Sequence, residues 1–169
     1  MWHSELLVRL QEGRRDMGQA ISFASDVNDI LSRFIAIHDD ISKFSFRKLI
    51  PIPGIFKAID YCIHETNLGD LAAKLGHVRQ QMALEMVHST VPSEAEFLAA
   101  LEDYSSALLD TIEQLLLISA SLCRKAEGAR DYPMERYNKE MSHYNLLVEK
   151  YRSLGRRLNS LLQRCDNNA

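Results

Sequence analysis

Apolar residues recur along most of this chain at steps of three and four, the spacing that lines one face of an α-helix. Leu68, Leu71, Leu75, Val78 and Met82 form one stripe, and Phe97, Leu101, Tyr104, Leu108, Ile112, Leu115 and Leu122 form the next. Between them Val91-Pro92-Ser93 breaks the period, and Ser93 followed by Glu96 has the sequence of a capping box. So short a connection makes the two helices antiparallel neighbours. An earlier stripe (Leu6, Leu10, Met17 and Ala20 onward to Phe34, Ile35, His38 and Ile41) predicts a first helix from about Ser4 to Ile41, weakened early by Gly13 and Gly18. The second helix is expected from about Ile55 to His88, with Asn67 and Gly69 as weak points, and the third from about Glu94 to Lys125, ending near Gly128. Asp131-Tyr132-Pro133 opens a fourth, with Asp131 as the N-cap and Pro133 in the first turn.

The fourth helix has the most regular pattern. Met134, Met141, Val148, Gly155 and Leu162 recur every seven residues, and Tyr137, Tyr144, Tyr151, Leu158 and Cys165 follow three positions later. These are the a and d positions of a heptad, widened on one flank by Leu147, Leu154 and Leu161. The simplest reading is a core-facing bundle helix. The alternative leaves part of the stripe, Tyr137, Met141, Tyr144 and Tyr151 above all, for self-association or a partner helix.

Phe44 to Phe56 interrupts the helical period, and Pro51 and Pro53 exclude a continuous helix there. The segment is apolar for a connector. It reads as a cap over the end of the bundle, or as an exposed wedge of Phe44, Phe46, Ile52 and Phe56 beside Arg47, Lys48 and Lys57. The fold expected is all-α: a four-helix bundle, mostly up-and-down and antiparallel, with this Pro-containing connector between helices 1 and 2. It forms one domain over 1–169, closed by a polar tail at 166–169.

Composition narrows the function more than it names it. A net charge of -3 and a pI near 6.1 argue against nucleic-acid binding by bulk charge. Charge is nevertheless unevenly placed. Pro92 to Cys123 holds Glu94, Glu96, Glu102, Asp103, Asp110 and Glu113 with no Lys or Arg, while Lys150 to Arg164 holds Lys150, Arg152, Arg156, Arg157 and Arg164 with no acid. Complementary faces within the bundle explain this most simply. The sharper reading makes Lys150, Arg152, Arg156 and Arg157 a strip for phosphate or anionic lipid. Cys62, Cys123 and Cys165 are odd in number and widely spaced, which suggests neither a zinc knuckle nor a disulfide framework. The early charges argue against a signal peptide, and no apolar run approaches the ~20 residues that span a bilayer. A cytoplasmic setting is expected, with the membrane periphery as the alternative.

Two motifs bear on catalysis. Glu85-x-x-His88 and Glu140-x-x-His143 share the spacing of di-iron bundle ligands, but the expected topology puts them at opposite ends. If the first helix is antiparallel to the second, His38, His64, Glu140 and His143 gather near one end, which makes them the candidate ligands of a zinc- or iron-like ion. Arg136 and His143 lie six residues apart on one face, a spacing that resembles the Arg-x(4–6)-His signature of HEPN ribonucleases; there the pair would hold the scissile phosphate. A Gly-rich phosphate loop and a nucleophile elbow are both missing, so no catalytic residue is assigned and no cofactor is expected.

Asn67-Leu68-Gly-Asp-Leu71-Ala-Ala-Lys-Leu75-Gly-His-Val78, a short turn, then Phe97-Leu98-Ala-Ala-Leu101-Glu-Asp103-Tyr104 resembles the first-to-second helix corner of BAR domains, particularly the sorting-nexin type. The resemblance implies a dimeric, membrane-curvature-associated scaffold without catalysis. The chain as a whole is therefore expected to be a non-catalytic interaction or scaffold module. Its expected partner is a protein or a second copy as a homodimer, then an anionic membrane surface, and nucleic acid is not expected. A metal-binding bundle or a HEPN-like ribonuclease is the competing class.

Overall fold

Four helices make up almost all of the described residues in the computed structural model, which covers 18–47, 60–88 and 92–167, with side chains to 41 in the first stretch and to 164 in the last. They are α1 (Gly18–Arg47), α2 (Tyr61–His88), α3 (Pro92–Ala126) and α4 (Met134–Asn167). The described residues contain no strand. The all-α bundle expected from the apolar periods is the architecture found.

Each stripe lies where its period places it. Leu68, Leu71, Leu75, Val78 and Met82 are the buried residues of α2. On α3 the buried set runs from Phe97 to Cys123 and includes small residues, Ala100, Ser105, Ala107, Thr111 and Ser119, that let neighbouring helices approach closely. Ser105 and Thr111 donate to the carbonyls of Leu101 and Ala107, so these hydroxyls are partnered inside the core.

Helix ends depart from expectation by a few residues, each for a local reason. The α1 backbone continues past Ile41 to Arg47, carrying Phe44 and Phe46 in helix; the expected start near Ser4 lies outside the described residues. The α2 helix begins at Tyr61 rather than Ile55, because the Asp60 carboxylate accepts from the N–H groups of Cys62 and Ile63 and caps it there. Asn67 and Gly69 do not divide it, since burial of Leu68 and Leu71 outweighs their weak propensity. The α3 helix starts at Pro92, whose fixed φ suits a first helical position, so Ser93 sits inside the first turn and is not the cap. Its end is a Schellman turn: Gly128 has φ 105°, its N–H bonds the Lys125 carbonyl, and Ala129 N–H bonds that of Arg124.

The long α3 is the axis of the bundle. It packs on α2 and α4 along most of their lengths and also meets α1, whereas α1 and α4 seldom bring their backbones together. By length and composition alone α3 is apolar enough to cross a membrane, but half of its most apolar stretch is buried against its neighbours, as befits a central helix. Its acids also meet the bases of the flanking helices: Glu102 with Arg79 of α2, Asp110 with Lys150 and Asp103 with Arg157 of α4. The uneven charge is therefore in part complementarity between adjacent helices.

Cys62 and Cys123 form a disulfide across the α2–α3 pair, with Cα atoms 5.0 Å apart and a sequence separation of 61. This corrects the expectation of no bridge. Spacing rules read cysteines close in sequence; these two are far apart but nearly equidistant from the Val91-Pro92-Ser93 turn, so antiparallel packing brings them level. Closing a loop of this length limits the unfolded chain by about 4 kcal/mol in the chain-entropy account. Reduction, or Cys62→Ser, is expected to lower the melting temperature accordingly, and alkylation of the denatured, unreduced protein should label one cysteine of three. Labelling of all three, with no change in melting on reduction, would rule out the bridge.

Candidate ligand-binding cleft

Because α1 and α4 are both held on α3 but not on each other, a cleft of about 470 Å³ opens between them, with α3 as its floor. At one end long aromatic side chains span the gap. The Tyr144 hydroxyl and His38 Nδ1 share a hydrogen bond at 2.6 Å, and the Tyr151 ring meets Phe34 edge-on at 6.4 Å between centroids. Tyr151 also stacks edge-on against Tyr104 of α3, at 6.2 Å. Gly155, one turn further along α4, leaves room for that arrangement: a Cβ there would stand 3.2 Å from the Tyr104 ring.

The walls differ in character. From α4, Tyr151, Gly155, Leu158 and Leu162 continue the apolar floor supplied by Phe97, Leu101 and Tyr104, while Arg152, Arg156 and Asn159 form a polar rim one position away. From α1 come Ala24, Val27, Leu31 and Ile35, with Asn28 among them and His38 and Asp39 at the aromatic end. The volume and the apolar lining with a few convergent polar groups are those of small-molecule sites.

Burial holds His38 below its ordinary pKa of 6.5; Asp39 opposes this and Arg152 reinforces it. Burial likewise pushes the Tyr144 hydroxyl up, so it stays protonated. At neutral pH the pair is an uncharged hydrogen bond at the end of the cleft.

The sequence-derived candidates are distributed as follows. Tyr144 and Tyr151 are 1% and 7% exposed, and Tyr137 and Met141 pack partly buried against the same core. Within one copy of the chain these side chains pack against the core, while Met134 at the head of the same seam is exposed. Phe44, Phe46, Ile52 and Phe56 have side chains outside the described residues. Of the basic strip, Lys150 and Arg157 pair with α3 and Arg152 reaches Glu149 on its own helix at 3.5 Å, while Arg156 makes no ion pair among the described residues.

The proposed ligand set does not assemble. Among the described residues no three of His38, His64, Glu140 and His143 bring ligand atoms within 4.8 Å of one another. His38 is engaged by Tyr144, His143 is exposed, and Glu140 is bound by Tyr132 and Arg136. Burial disfavours ionisation of Glu140, but these two hydrogen bonds outweigh it and hold the carboxyl below its ordinary range. Arg136 of the ribonuclease-like pair is thus committed to Glu140 at 2.9 Å and lies over the Tyr132 ring. Among the described residues the one cluster with ligand-like spacing is Cys62, Cys123 and Glu127, whose sulfurs are already joined. Sequence reasoning did not find Asn28, Leu31, Ile35 or Asn159, since an open seam depends on helix separation and leaves no motif.

No protein-family model, curated protein or solved structure matches this chain.

The unfolded chain takes up a proton at His38 near pH 6.5 and the folded chain only lower, so stability is full above 6.5 and falls as the pH drops through the folded value. Tyr144→Phe, which removes the partner of His38 Nδ1, is expected to shift the His38 titration in an NMR experiment and to cost about 1 kcal/mol at neutral pH. An unaltered titration would show that the hydroxyl does not set the His38 charge.

Proposed function

We propose that this protein is a non-catalytic binding module whose cleft between α1 and α4 takes up an elongated apolar small molecule. The observation that carries the reading is the cleft itself, about 470 Å³ lined mainly by aliphatic and aromatic side chains of three helices. Support also comes from what surrounds it. The aromatic heptad lies inside the core, and the large exposed apolar residues (Ile63, Leu84, Val87, Leu117, Met134 and Leu146) are spread over three helices. A scaffold of BAR-like character would place Lys150, Arg152, Arg156 and Arg157 against lipid, but three of the four are engaged with carboxylates. His38 and Asp39 lie together at one end of the cleft and the rest of its polar lining is amide, phenol and guanidinium, which suits retention of a ligand better than acid–base turnover.

A neutral solvatochromic dye such as Nile red tests this. Saturable uptake at one dye per chain is expected. Leu31→Trp or Ile35→Trp, each filling the cleft from α1, should weaken uptake at least tenfold while circular dichroism and melting stay near wild type. Failure of the wild type to bind, or equal binding by both well-folded variants, would remove the cleft as the site.

A further inference from the structure

We infer that the ligand of this cleft is a single-chain amphiphile with an anionic head, received by Asn28 and Arg156 while its chain lies along the apolar lining. This rests on the reading of the cleft as a binding site and gives that site its chemistry.

The first argument is an unpartnered amide. Asn28 lines the cleft and is only 5% exposed, yet its carboxamide makes no hydrogen bond with any described residue; Ser32 bonds its backbone carbonyl instead. The amide is thus not sealed in the core but opens on the cleft, where it offers an uncommitted donor and acceptor to a guest.

The second is an unpaired charge at the same level. His38 meets Tyr144 and Phe34 meets Tyr151, which fixes the antiparallel register of α1 against α4. Continuing that register brings Asn28 level with Arg156. Lys150, Arg152 and Arg157 each have a carboxylate partner, but the Arg156 guanidinium has none among the described residues. Asn159 lies on the same rim about one turn beyond, and Arg152 about one turn before. Asp39, the acid lining the cleft, belongs to the opposite, His38 end. An oxyanion at Asn28 and Arg156 therefore meets amide and guanidinium donors, with the nearest acid of the lining several turns of α1 away.

The third is shape. Ala24 to Asp39 spans the cleft along α1, roughly 22 Å at ~1.5 Å per residue. Spread over that length, about 470 Å³ leaves a mean cross-section of about 21 Å², the room of one extended chain. Leu31 and Ile35 on one side, with Leu101, Tyr104 and Leu158 beneath, give that chain an apolar bed.

Displacement of Nile red by chain-matched probes, kept below their micelle concentrations, tests the assignment. Palmitate and hexadecyl phosphate are expected to displace the dye at about tenfold lower concentration than hexadecanol, since hydrogen bonds to a charged group are the stronger ones. Acetate and inorganic phosphate, heads without chains, should not displace it. Arg156→Gln and Asn28→Leu should each erase the advantage of the anionic probes over hexadecanol, with melting curves confirming that both variants fold. Whether palmitate or hexadecyl phosphate is stronger distinguishes a carboxylate from a phosphate head. Dye uptake blocked by Leu31→Trp, but with palmitate no better than hexadecanol, would overturn this inference and leave the cleft reading intact. No uptake at all would remove both. Retention on anionic vesicles without displacement by free palmitate would overturn the inference in favour of a membrane surface.

Discussion

Burial of α3 constrains every other helix in the molecule. Phe97, Leu101, Leu108, Ile112, Leu115 and Ile118 are at most 1% exposed, so the apolar positions of this helix need cover along most of its length. Its neighbours α2 and α4 supply that cover along its sides, and α1 takes the remaining strip while leaning on α2. Such an arrangement satisfies α3 before it satisfies the bundle as a ring. With three helices gathered around one, the two outermost need not pack backbone to backbone, and here they meet chiefly through long side chains.

The seam left between α1 and α4 is closed at one end by aromatic reach and open along the rest. Tyr144 and Tyr151 are long enough to bridge helices that stand apart, and their contacts with His38 and Phe34 hold the separation there. Leu31 and Ile35 are shorter, and Gly155 opposite them has no side chain at all. Cleft and bridge are thus consequences of one helix spacing met by side chains of different length.

What the sequence made legible was whatever depends on period. The α2 and α3 stripes carry the buried residues that their spacing indicated, and Gly128 ends α3 in the left-handed conformation a C-terminal glycine favours. Period does not say what a stripe faces. The tyrosine and methionine heptad has the same pattern whether it covers α3 or awaits a second copy, and only the fold decides. The Cys62–Cys123 bridge was readable in principle from its symmetry about the turn, but rules for cysteines count local spacing. Asn28 was hidden for a different reason: a polar residue within an apolar face reads as a blemish in the pattern until the structure gives it a cavity to line.

The uneven fastening of the helices also sets how the molecule comes apart. A covalent bridge ties α2 to α3, and salt links join α3 to α4, while α1 is held mainly by packing, with the Tyr144 hydroxyl and the Gln19 amide's bond to Glu85 of α2 among its polar links. Local opening follows the weakest attachments, so α1 is the segment whose amides exchange with solvent first, as a unit, ahead of the remaining three helices. A guest in the cleft would touch α1 and α4 together and supply the wall that neither provides for the other. Occupancy and annealing of the bundle then become one equilibrium, and the protein is most completely folded when it is loaded.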